Sequence, residues 1–225
     1  MRHIQPPVWG VWKIEESEDE LLKQLTRYDY INPMTSVRPE KRRREWLAVR
    51  VLLKELLGEE TAIAYHSGGA PYLPEKKLYF SASHTTGYAA VILSEQGPAG
   101  IDIEYIDDRV NRVRSRFMRP EEEAMICPEH ETEHLLVCWC AKEALFKLIG
   151  SRGVYLREHL CISPFKPGKS GYLTAVETFT PQKNTYSMYY IVNKYFAMTC
   201  SLDMMVVRRP SLLNSAIMVL LFLMR

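Results

Sequence analysis

Hydrophobic and polar residues along this chain follow the helical period in some segments and alternate in others. A long amphipathic segment begins at Pro39, a residue suited to a first helical turn, and ends at Gly58, a typical C-terminal cap. A second long segment, Glu131–Ile149, is closed by Gly150 in the same way. The pattern therefore predicts two long helices, one in each half of the chain. Shorter helices are predicted from the Ser17–Glu20 capping box through about Tyr28, from Asp107 through Phe117, and at Pro120–Glu123.

Alternating or continuous apolar segments rich in β-branched and aromatic residues predict strands in both halves of the chain. These segments are 61–66, 79–83, 88–93, 99–105, 160–165, 172–179, 186–192 and 196–202. The order of elements is roughly duplicated around Gly97–Pro98, which favours an α+β protein of two similar α/β lobes. We expect an N-terminal lobe over 1–98, a C-terminal lobe over 99–207 and an apolar tail over 208–225.

The charge balance argues against nucleic acid as a partner. Twenty-nine basic and 27 acidic side chains give a net charge of +2, so any anion site must come from local clustering. The basic turn at 41–44 is short and belongs to an amphipathic helix, which favours a solvated helix face. Five cysteines without paired metal-ligand spacing indicate reduced thiols. With an N-terminus that lacks an apolar signal core, they favour a cytoplasmic protein.

The C-terminal tail is unusually apolar. Its uninterrupted run, residues 216–224, is far shorter than the roughly 20 residues that a membrane-spanning helix needs. We expect a terminal helix packed on the body of the protein or on a second copy, with a membrane-surface contact as the alternative. A spanning segment is not expected.

Two segments about forty residues apart carry the candidate chemistry. Asp102 and Glu104 alternate on a predicted strand and therefore share one face of it. Glu143 and Lys147 lie four residues apart on the predicted 131–149 helix and share a stripe with Trp139. Alone, the first pair also fits a solvent-exposed strand face, and the second fits a solvated Glu–Lys pair. If the segments meet, three acids and a lysine would form a hard-cation site suited to a phosphorylated substrate.

Two further residues are candidate anion contacts. His84 is at a predicted strand end just before a glycine turn, a position at which a lone histidine is also commonly structural. Arg50 lies near the apolar stripe of the 39–58 helix, and we expect it to point into a cleft.

Three segments of the chain resemble those of a known protein family. FSASHTTGYAAVILS, GIDIEYIDDRV and WCAKEALFK, in this order and spacing, resemble the Sfp-type 4′-phosphopantetheinyl transferases. The REWLAVRVLLKELLG helix and the GGAPYLP turn are also similar, so the resemblance covers roughly residues 8–203. One position departs from it, because the family's usual Gly-Lys-Pro turn reads Gly69-Ala70-Pro71 here. Lys76 or Lys77 could replace the missing lysine, or nothing replaces it.

The resemblance implies a fold and a set of site residues. The fold would be the pseudo-dimeric phosphopantetheinyl transferase fold, with coenzyme A and Mg²⁺ in the cleft between the lobes. By motif position, the metal ligands would be Asp102, Glu104 and Glu143. The catalytic residues would be Glu143 as general base and Lys147. The residues contacting coenzyme A would be Arg43, Arg50, Ser83, His84, Lys142 and Lys147.

The same resemblance implies an activity of the holo-acyl-carrier-protein synthase type. The 4′-phosphopantetheine arm of coenzyme A would pass to a serine of an apo acyl, peptidyl or aryl carrier protein, releasing 3′,5′-ADP. The partner would serve fatty-acid, polyketide or siderophore synthesis. Carrier proteins are acidic, so a basic or apolar surface beside the cleft would dock them. The candidates follow the acid strand and are Arg109, Arg112, Arg114, Arg116, Phe117 and Met118, a run that also fits a solvated amphipathic helix. We expect a monomer, because one chain could form the whole cleft.

Two alternatives from other classes stay open. One is a coenzyme A-binding module that has lost transfer, and the other is a membrane-attached interaction protein that uses the tail.

Overall fold

The computed structural model describes residues 7–26 and 39–204, which form a mixed α/β protein. The strands are β1 (Val8–Lys13), β2 (Ala64–Tyr65), β3 (Pro71–Tyr72), β4 (Tyr79–Thr85), β5 (Tyr88–Ser94), β6 (Ile101–Tyr105), β7 (Leu160–Ile162), β8 (Ser170–Glu177), β9 (Thr185–Val192) and β10 (Phe196–Met204). The helices are α1 (Glu18–Lys23), α2 (Glu40–Leu57), α3 (Arg109–Val113), α4 (Pro120–Glu123), α5 (Glu131–Ile149) and α6 (Leu156–His159). The predicted tail helix lies outside the described residues.

The two long helices have the predicted ends. Helix α2 follows Pro39, and α2 and α5 both end at glycines in the left-handed conformation, Gly58 at φ 79° and Gly150 at φ 63°. Glycine reaches this conformation without the steric cost that a Cβ imposes, so it ends a helix at a defined residue. The capping box of Ser17 and Glu20 is also confirmed, although α1 ends at Lys23 rather than near residue 28.

The N-terminal half forms a three-stranded antiparallel sheet of order β1-β5-β4. Alternate residues of β5, including Ala89, Val91 and Leu93, pack with Leu52 and Leu53 of α2 in one apolar cluster. Strand β1 was not predicted from the sequence. It pairs with β5, some eighty positions later along the chain.

The C-terminal half forms a five-stranded antiparallel sheet of order β6-β10-β9-β8-β7. Helix α5 covers one face, where Leu135 and Leu145 pack with Met188 and Tyr190 of β9 and Ala197 of β10. The opposite face, including Ile101, Ile103 and Met198, packs against Trp9, Ala90 and Ile92 of the smaller sheet. The layers are therefore α2, the smaller sheet, the larger sheet and α5.

This layering decides where the acidic residues of β6 point. Successive side chains of a strand point to opposite faces. Because Ile101 and Ile103 face the smaller sheet, Asp102 and Glu104 face α5. The predicted sharing of one face by the two acids is therefore confirmed.

Strands β4 and β6 lie next to each other where the two sheets meet, and hydroxyl groups join them. The Ile101 and Tyr105 backbone N–H groups donate to Ser81 Oγ at 3.4 Å and Thr85 Oγ1 at 3.1 Å. These side chains satisfy edge N–H groups that would otherwise lack a partner.

A glycine sets the distance between α5 and the start of β6. A Cβ built on Gly100 would lie 1.9 Å from the Ala144 carbonyl oxygen, a backbone atom of α5. Only a residue without a side chain fits this crossing. Within the described ranges, no helix has the length and apolarity needed to cross a membrane.

Candidate active site

The crossing of α5 over Gly100 brings the two predicted segments together. Lys147 Nζ of α5 donates to Asp102 Oδ1 at 2.7 Å and to the Ile101 carbonyl oxygen at 3.1 Å. The Asp102 side chain is only 6% exposed, and Lys147 is 28% exposed. A buried carboxylate is therefore paired with an ammonium that still reaches solvent. The condition set by the sequence, that the strand and the helix meet, is therefore fulfilled for Asp102 and Lys147.

The two carboxylate oxygens of Asp102 differ in their hydrogen bonds. Its Oδ1 also accepts a hydrogen bond from Ser83 Oγ at 2.7 Å, which ties β4 to β6. Its Oδ2 is buried and has no hydrogen-bond partner among the described residues. A buried carboxylate oxygen without a donor is costly unless a ligand or another donor reaches it.

Glu104 is oriented by donors from two other elements. Thr85 Oγ1 donates to its Oε2, and Trp139 Nε1 of α5 donates to its Oε1, each at 3.3 Å. Burial, with the negative charge of Asp102 next in effect, raises the pKa of Glu104, although these hydrogen bonds oppose the shift. The side chain is thus fixed in place while its negative charge is disfavoured.

Glu143 is the third carboxylate, and it differs from Asp102 and Glu104 in having no hydrogen-bond or ion-pair partner among the described residues. Its side chain is partly buried. Burial raises the pKa of Glu143 to about 7, helped by the negative charges of Asp102 and Glu104 and opposed by Lys147. The three carboxylates therefore repel one another, and a cation between them would relieve that repulsion.

The donor chemistry fits Mg²⁺, whereas the side-chain arrangement does not yet form a closed metal site. Oxygen ligands are what Mg²⁺ prefers. Asp102 Oδ2 accepts no hydrogen bond from a described residue, and the Glu143 carboxylate forms none. Over residues 7–26 and 39–204, however, no three His, Cys, Asp or Glu side chains are grouped closely enough to hold a metal ion. The metal set of Asp102, Glu104 and Glu143 accordingly stays a prediction.

His84 is on the β4 edge that faces β6. Its Nδ1 lies 3.3 Å from Glu45 Oε2 and 3.5 Å from Arg42 Nη1, both on α2. Burial lowers the pKa of His84, partly offset by Glu45, while Arg42 lowers it further. With Ser83 bound to Asp102, two adjacent residues of β4 reach toward the carboxylates and toward α2.

Two arginines predicted to contact coenzyme A are engaged within the N-terminal half. Arg43 Nε forms an ion pair with Glu18 of α1, at 2.8 Å from Oε1. Arg50 is buried, its guanidinium lies over the Trp46 ring, and its Nη1 donates to the Trp46 carbonyl oxygen at 3.1 Å. The structure does not bring either arginine into contact with the carboxylates.

Lys142 requires a correction. It was predicted to contact phosphates, but its ammonium is fully buried, 2.6 Å from Glu122 Oε2 and 2.5 Å from the Phe117 carbonyl oxygen. Burial lowers its pKa, and Glu122 opposes that shift. Because successive residues of a helix are about 100° apart, Lys142 leaves the stripe that carries Glu143 and Lys147. Phe117 and Met118, predicted on the carrier-docking surface, are likewise buried in the core.

A cavity of about 510 Å³ adjoins the lysine side of the site. It is lined by Lys147 and by the segment that departs from the family, with Ala70, Pro71, Lys76 and Lys77 among its residues. Lys76 forms an ion pair with Glu59 at 2.5 Å, whereas Lys77 is exposed. Both lysines therefore line the same cavity as Lys147.

The sequence analysis missed a row of hydroxyl groups on β4. Ser81, Ser83 and Thr85 alternate along the strand, and each bonds to β6 through its backbone or through an acidic side chain. A period-two row of small hydroxyl residues was the available signal. Trp139 was placed on the correct stripe, but its hydrogen bond to Glu104 was not foreseen.

Fold and site together define a mixed α/β protein with clustered carboxylates and a lysine at the junction of two sheets. Residues 98–197 match the 4′-phosphopantetheinyl transferase superfamily, which confirms the resemblance to phosphopantetheinyl transferases over that segment. The segment contains the acid strand and all of α5.

Individual relatives agree with the superfamily match. The chain is 36% identical to the 4′-phosphopantetheinyl transferase AcpT of Escherichia coli (strain K12) over 115 residues, which are 48% of this chain and 59% of that protein. It is 35% identical to AcpT of Salmonella typhi over 116 residues, 48% of this chain and 60% of the relative. A putative 4′-phosphopantetheinyl transferase of Haemophilus influenzae is 29% identical over 151 residues, 62% of this chain and 63% of the relative. The chain thus spans about three fifths of the length of these relatives.

Proposed function

We propose that this protein is an Sfp-type phosphopantetheinyl transferase, which transfers the 4′-phosphopantetheine arm of coenzyme A to a serine of an apo carrier protein. The reaction would depend on Mg²⁺ and release 3′,5′-ADP. One observation carries the proposal: Lys147 of the second motif bonds to Asp102 of the first, inside the segment that matches the superfamily. The names of the relatives support the same class of reaction.

The organisation of the chain is part of the proposal. We take the two sheets with their covering helices as two lobes of a pseudo-dimer, divided near residue 98, with the site between them. The bonds from β4 to β6 support this division, because each side of the site then comes from a different sheet. A monomer would suffice if one chain supplies both sides, and we propose a cytoplasmic location from the reduced thiols that the cysteine spacing indicates.

Each side chain has a distinct part in the proposed reaction. Asp102, Glu104 and Glu143 would hold Mg²⁺, which would supply positive charge next to the pyrophosphate. The carrier serine oxygen would bond to the β-phosphorus as the bond from that phosphorus to the oxygen of 3′,5′-ADP breaks. Glu143 would accept the proton of the carrier serine, because it is the carboxylate without a partner among the described residues. Lys147 would stabilise the charge that develops on the leaving 3′,5′-ADP, and Asp102 holds its ammonium in place.

Coenzyme A would lie along the junction of the two sheets. We place its nucleotide end in the 510 Å³ cavity, where Lys76 or Lys77 would substitute for the lysine that Ala70 replaces. Ser83 and His84 would contact the phosphates from β4. Arg43 and Arg50 remain in the proposal as more distant members of the anion pocket.

The test is incubation with coenzyme A, Mg²⁺ and a panel of apo acyl, peptidyl and aryl carrier proteins, read by intact mass. We expect one carrier to gain a single phosphopantetheine arm. Glu143→Gln and Asp102→Asn should lose the gain, whereas Glu133→Gln, a matched change on the same helix, should keep it. Coenzyme A binding without a mass gain on any carrier would instead identify a binding module.

A further inference from the structure

Two buried oxygen atoms near the site lack hydrogen-bond partners among the described residues. They are Asp102 Oδ2 and Thr199 Oγ1. Thr199 is completely buried in β10, the strand that neighbours β6. A buried hydroxyl without a partner costs free energy comparable to a lost hydrogen bond.

The strand register brings these two residues side by side. Thr199 is the direct cross-strand partner of Asp102 in the antiparallel pairing of β10 and β6. Opposite residues in such a pair project from the same face, with Cβ atoms about 4.5 to 5.5 Å apart. Thr199 therefore lies on the face of the sheet that α5 covers, beside the Asp102 carboxylate.

The chemistry of the two atoms is complementary. A hydroxyl can donate one hydrogen bond, and a carboxylate oxygen can only accept. The thiol of Cys140, a weak donor, lies 3.5 Å from the Ala197 carbonyl oxygen. Burial raises the pKa of this thiol, and a hydrogen bond to the Asp102 side chain is one of the further causes that raise it. The donors that Asp102 does have, Ser83 and Lys147, both bond to Oδ1. Among the described residues, Thr199 is thus the hydroxyl donor beside the other oxygen, and a stronger donor than the Cys140 thiol.

We propose that Thr199 is a positioning residue whose hydroxyl bonds to Asp102 Oδ2. Ser83 and Lys147 hold one oxygen, Thr199 holds the other, and the plane of the carboxylate is fixed. This inference rests on the proposed function, because it gives Thr199 a part in binding the metal and the phosphates through Asp102. Partners of this kind commonly contribute 10- to 100-fold to metal affinity.

The test compares Thr199→Val, which removes the hydroxyl at nearly constant shape, with Thr199→Ser, which retains it. Thr61→Val is the matched control, since Thr61 is also buried but bonds to Glu75 in the N-terminal half. Mn²⁺ affinity in the presence of coenzyme A would be measured from the electron paramagnetic resonance signal of free Mn²⁺. We expect Thr199→Val to weaken binding roughly 10-fold or more. Thr199→Ser and Thr61→Val should retain the affinity of the unchanged protein.

Wild-type Mn²⁺ affinity in Thr199→Val would overturn the inference. So would an equal loss in Thr199→Ser, which would assign the effect to packing of the methyl group. If Thr199→Val does not fold, a high-resolution crystal structure of the unchanged protein decides. The Thr199 Oγ1 to Asp102 Oδ2 distance should be about 2.7 Å. A Thr199 hydroxyl bonded to a main-chain carbonyl instead would contradict the inference.

These outcomes separate the inference from the proposed function. Carrier modification by the unchanged protein, combined with unaltered Mn²⁺ affinity in Thr199→Val, would sustain the function and reject the inference. Mn²⁺ binding that depends on Thr199, without modification of any carrier, would sustain the inference and reject transfer. A protein that binds no Mn²⁺ would reject both.

Discussion

Helix α5 carries two ionic clusters that differ in how completely their polar atoms are paired. On one face, Lys142 bonds to the Phe117 carbonyl and to Glu122, and the remaining capacity of Glu122 is taken by the backbone N–H groups of Arg119 at 2.8 Å and Ile162 at 2.7 Å. On another face, Lys147 pairs with Asp102. Among the described residues, Asp102 Oδ2 accepts no hydrogen bond and Glu143 forms no hydrogen bond or ion pair.

The difference separates a structural cluster from a functional one. The Glu122–Lys142 cluster joins α4, α5 and β7, is fully buried and has no position open to a ligand. In the Asp102–Lys147 cluster, the Lys147 side chain reaches solvent, and Asp102 Oδ2 accepts no hydrogen bond from a described residue. Lysines five positions apart on one helix thus have different roles, and the completeness of pairing distinguishes them.

Breaking the Glu122–Lys142 cluster should have the largest effect on stability. Lys142→Met leaves Glu122 as a buried charge without its counterion, and we expect a loss of about 3 to 5 kcal/mol in the free energy of unfolding. Urea denaturation measures it. Lys169→Met, an exposed change, should stay within about 0.5 kcal/mol of the unchanged protein. A Lys142→Met protein as stable as the unchanged one would remove the distinction between the clusters.

Changing Glu143 beside the Asp102–Lys147 cluster should have its main effect on activity. Glu143→Gln keeps the shape of the side chain but removes the proton acceptor, so we expect kcat for carrier modification to fall about 10² to 10⁴-fold. Steady-state kinetics on the modified carrier measure it, with Glu133→Gln as the control. An unchanged kcat would exclude Glu143 as the general base.

The protonation of Glu143 should make the stability of the protein depend on pH. The pKa of Glu143 is raised to about 7 by burial and by its acidic neighbours, so the folded protein binds a proton there more readily than the unfolded chain does. Stability of the metal-free protein should therefore decrease as pH rises from about 4.5, the usual value for glutamate, to about 7. Thermal unfolding in a chelator measures this contribution as the difference from Glu143→Gln, in which it should be absent. A parallel pH dependence in both proteins would contradict it.

The smallest effect is expected at the hydroxyl row of β4. Thr85→Val removes an acceptor for the Tyr105 N–H and a donor to Glu104, at an expected cost of about 1 kcal/mol in unfolding free energy. Thr85→Ser should restore most of it in the same denaturant titration. Equal losses in both variants would point to the methyl group instead.

The sequence predicted the ends of the two long helices and the shared face of the β6 acids because these depend on local signals. The meeting of the two motifs is not local and was expected only from the family resemblance. Gly58 and Gly150 end their helices where the pattern does, and the acids of β6 follow a strict alternation. Strand β1 was missed because its pairing with β5 spans much of the chain. Lys142 was misassigned because helical spacing orders residues around an axis but does not say which neighbour covers each face.

The contact of Gly100 with Ala144 shows that the spatial distance between the two motifs and the number of residues between them are set by different features. The spatial distance between β6 and α5 is fixed by the absence of one Cβ, so neither element can shift without changing the other. The number of residues that connect them is not fixed in this way, because the free energy of closing a loop grows only slowly with its length. Residues added at the exposed turn 128–130 would therefore lengthen the connection while the carboxylates and Lys147 kept their positions. The site geometry of this chain therefore does not depend on the exact number of residues between its two motifs.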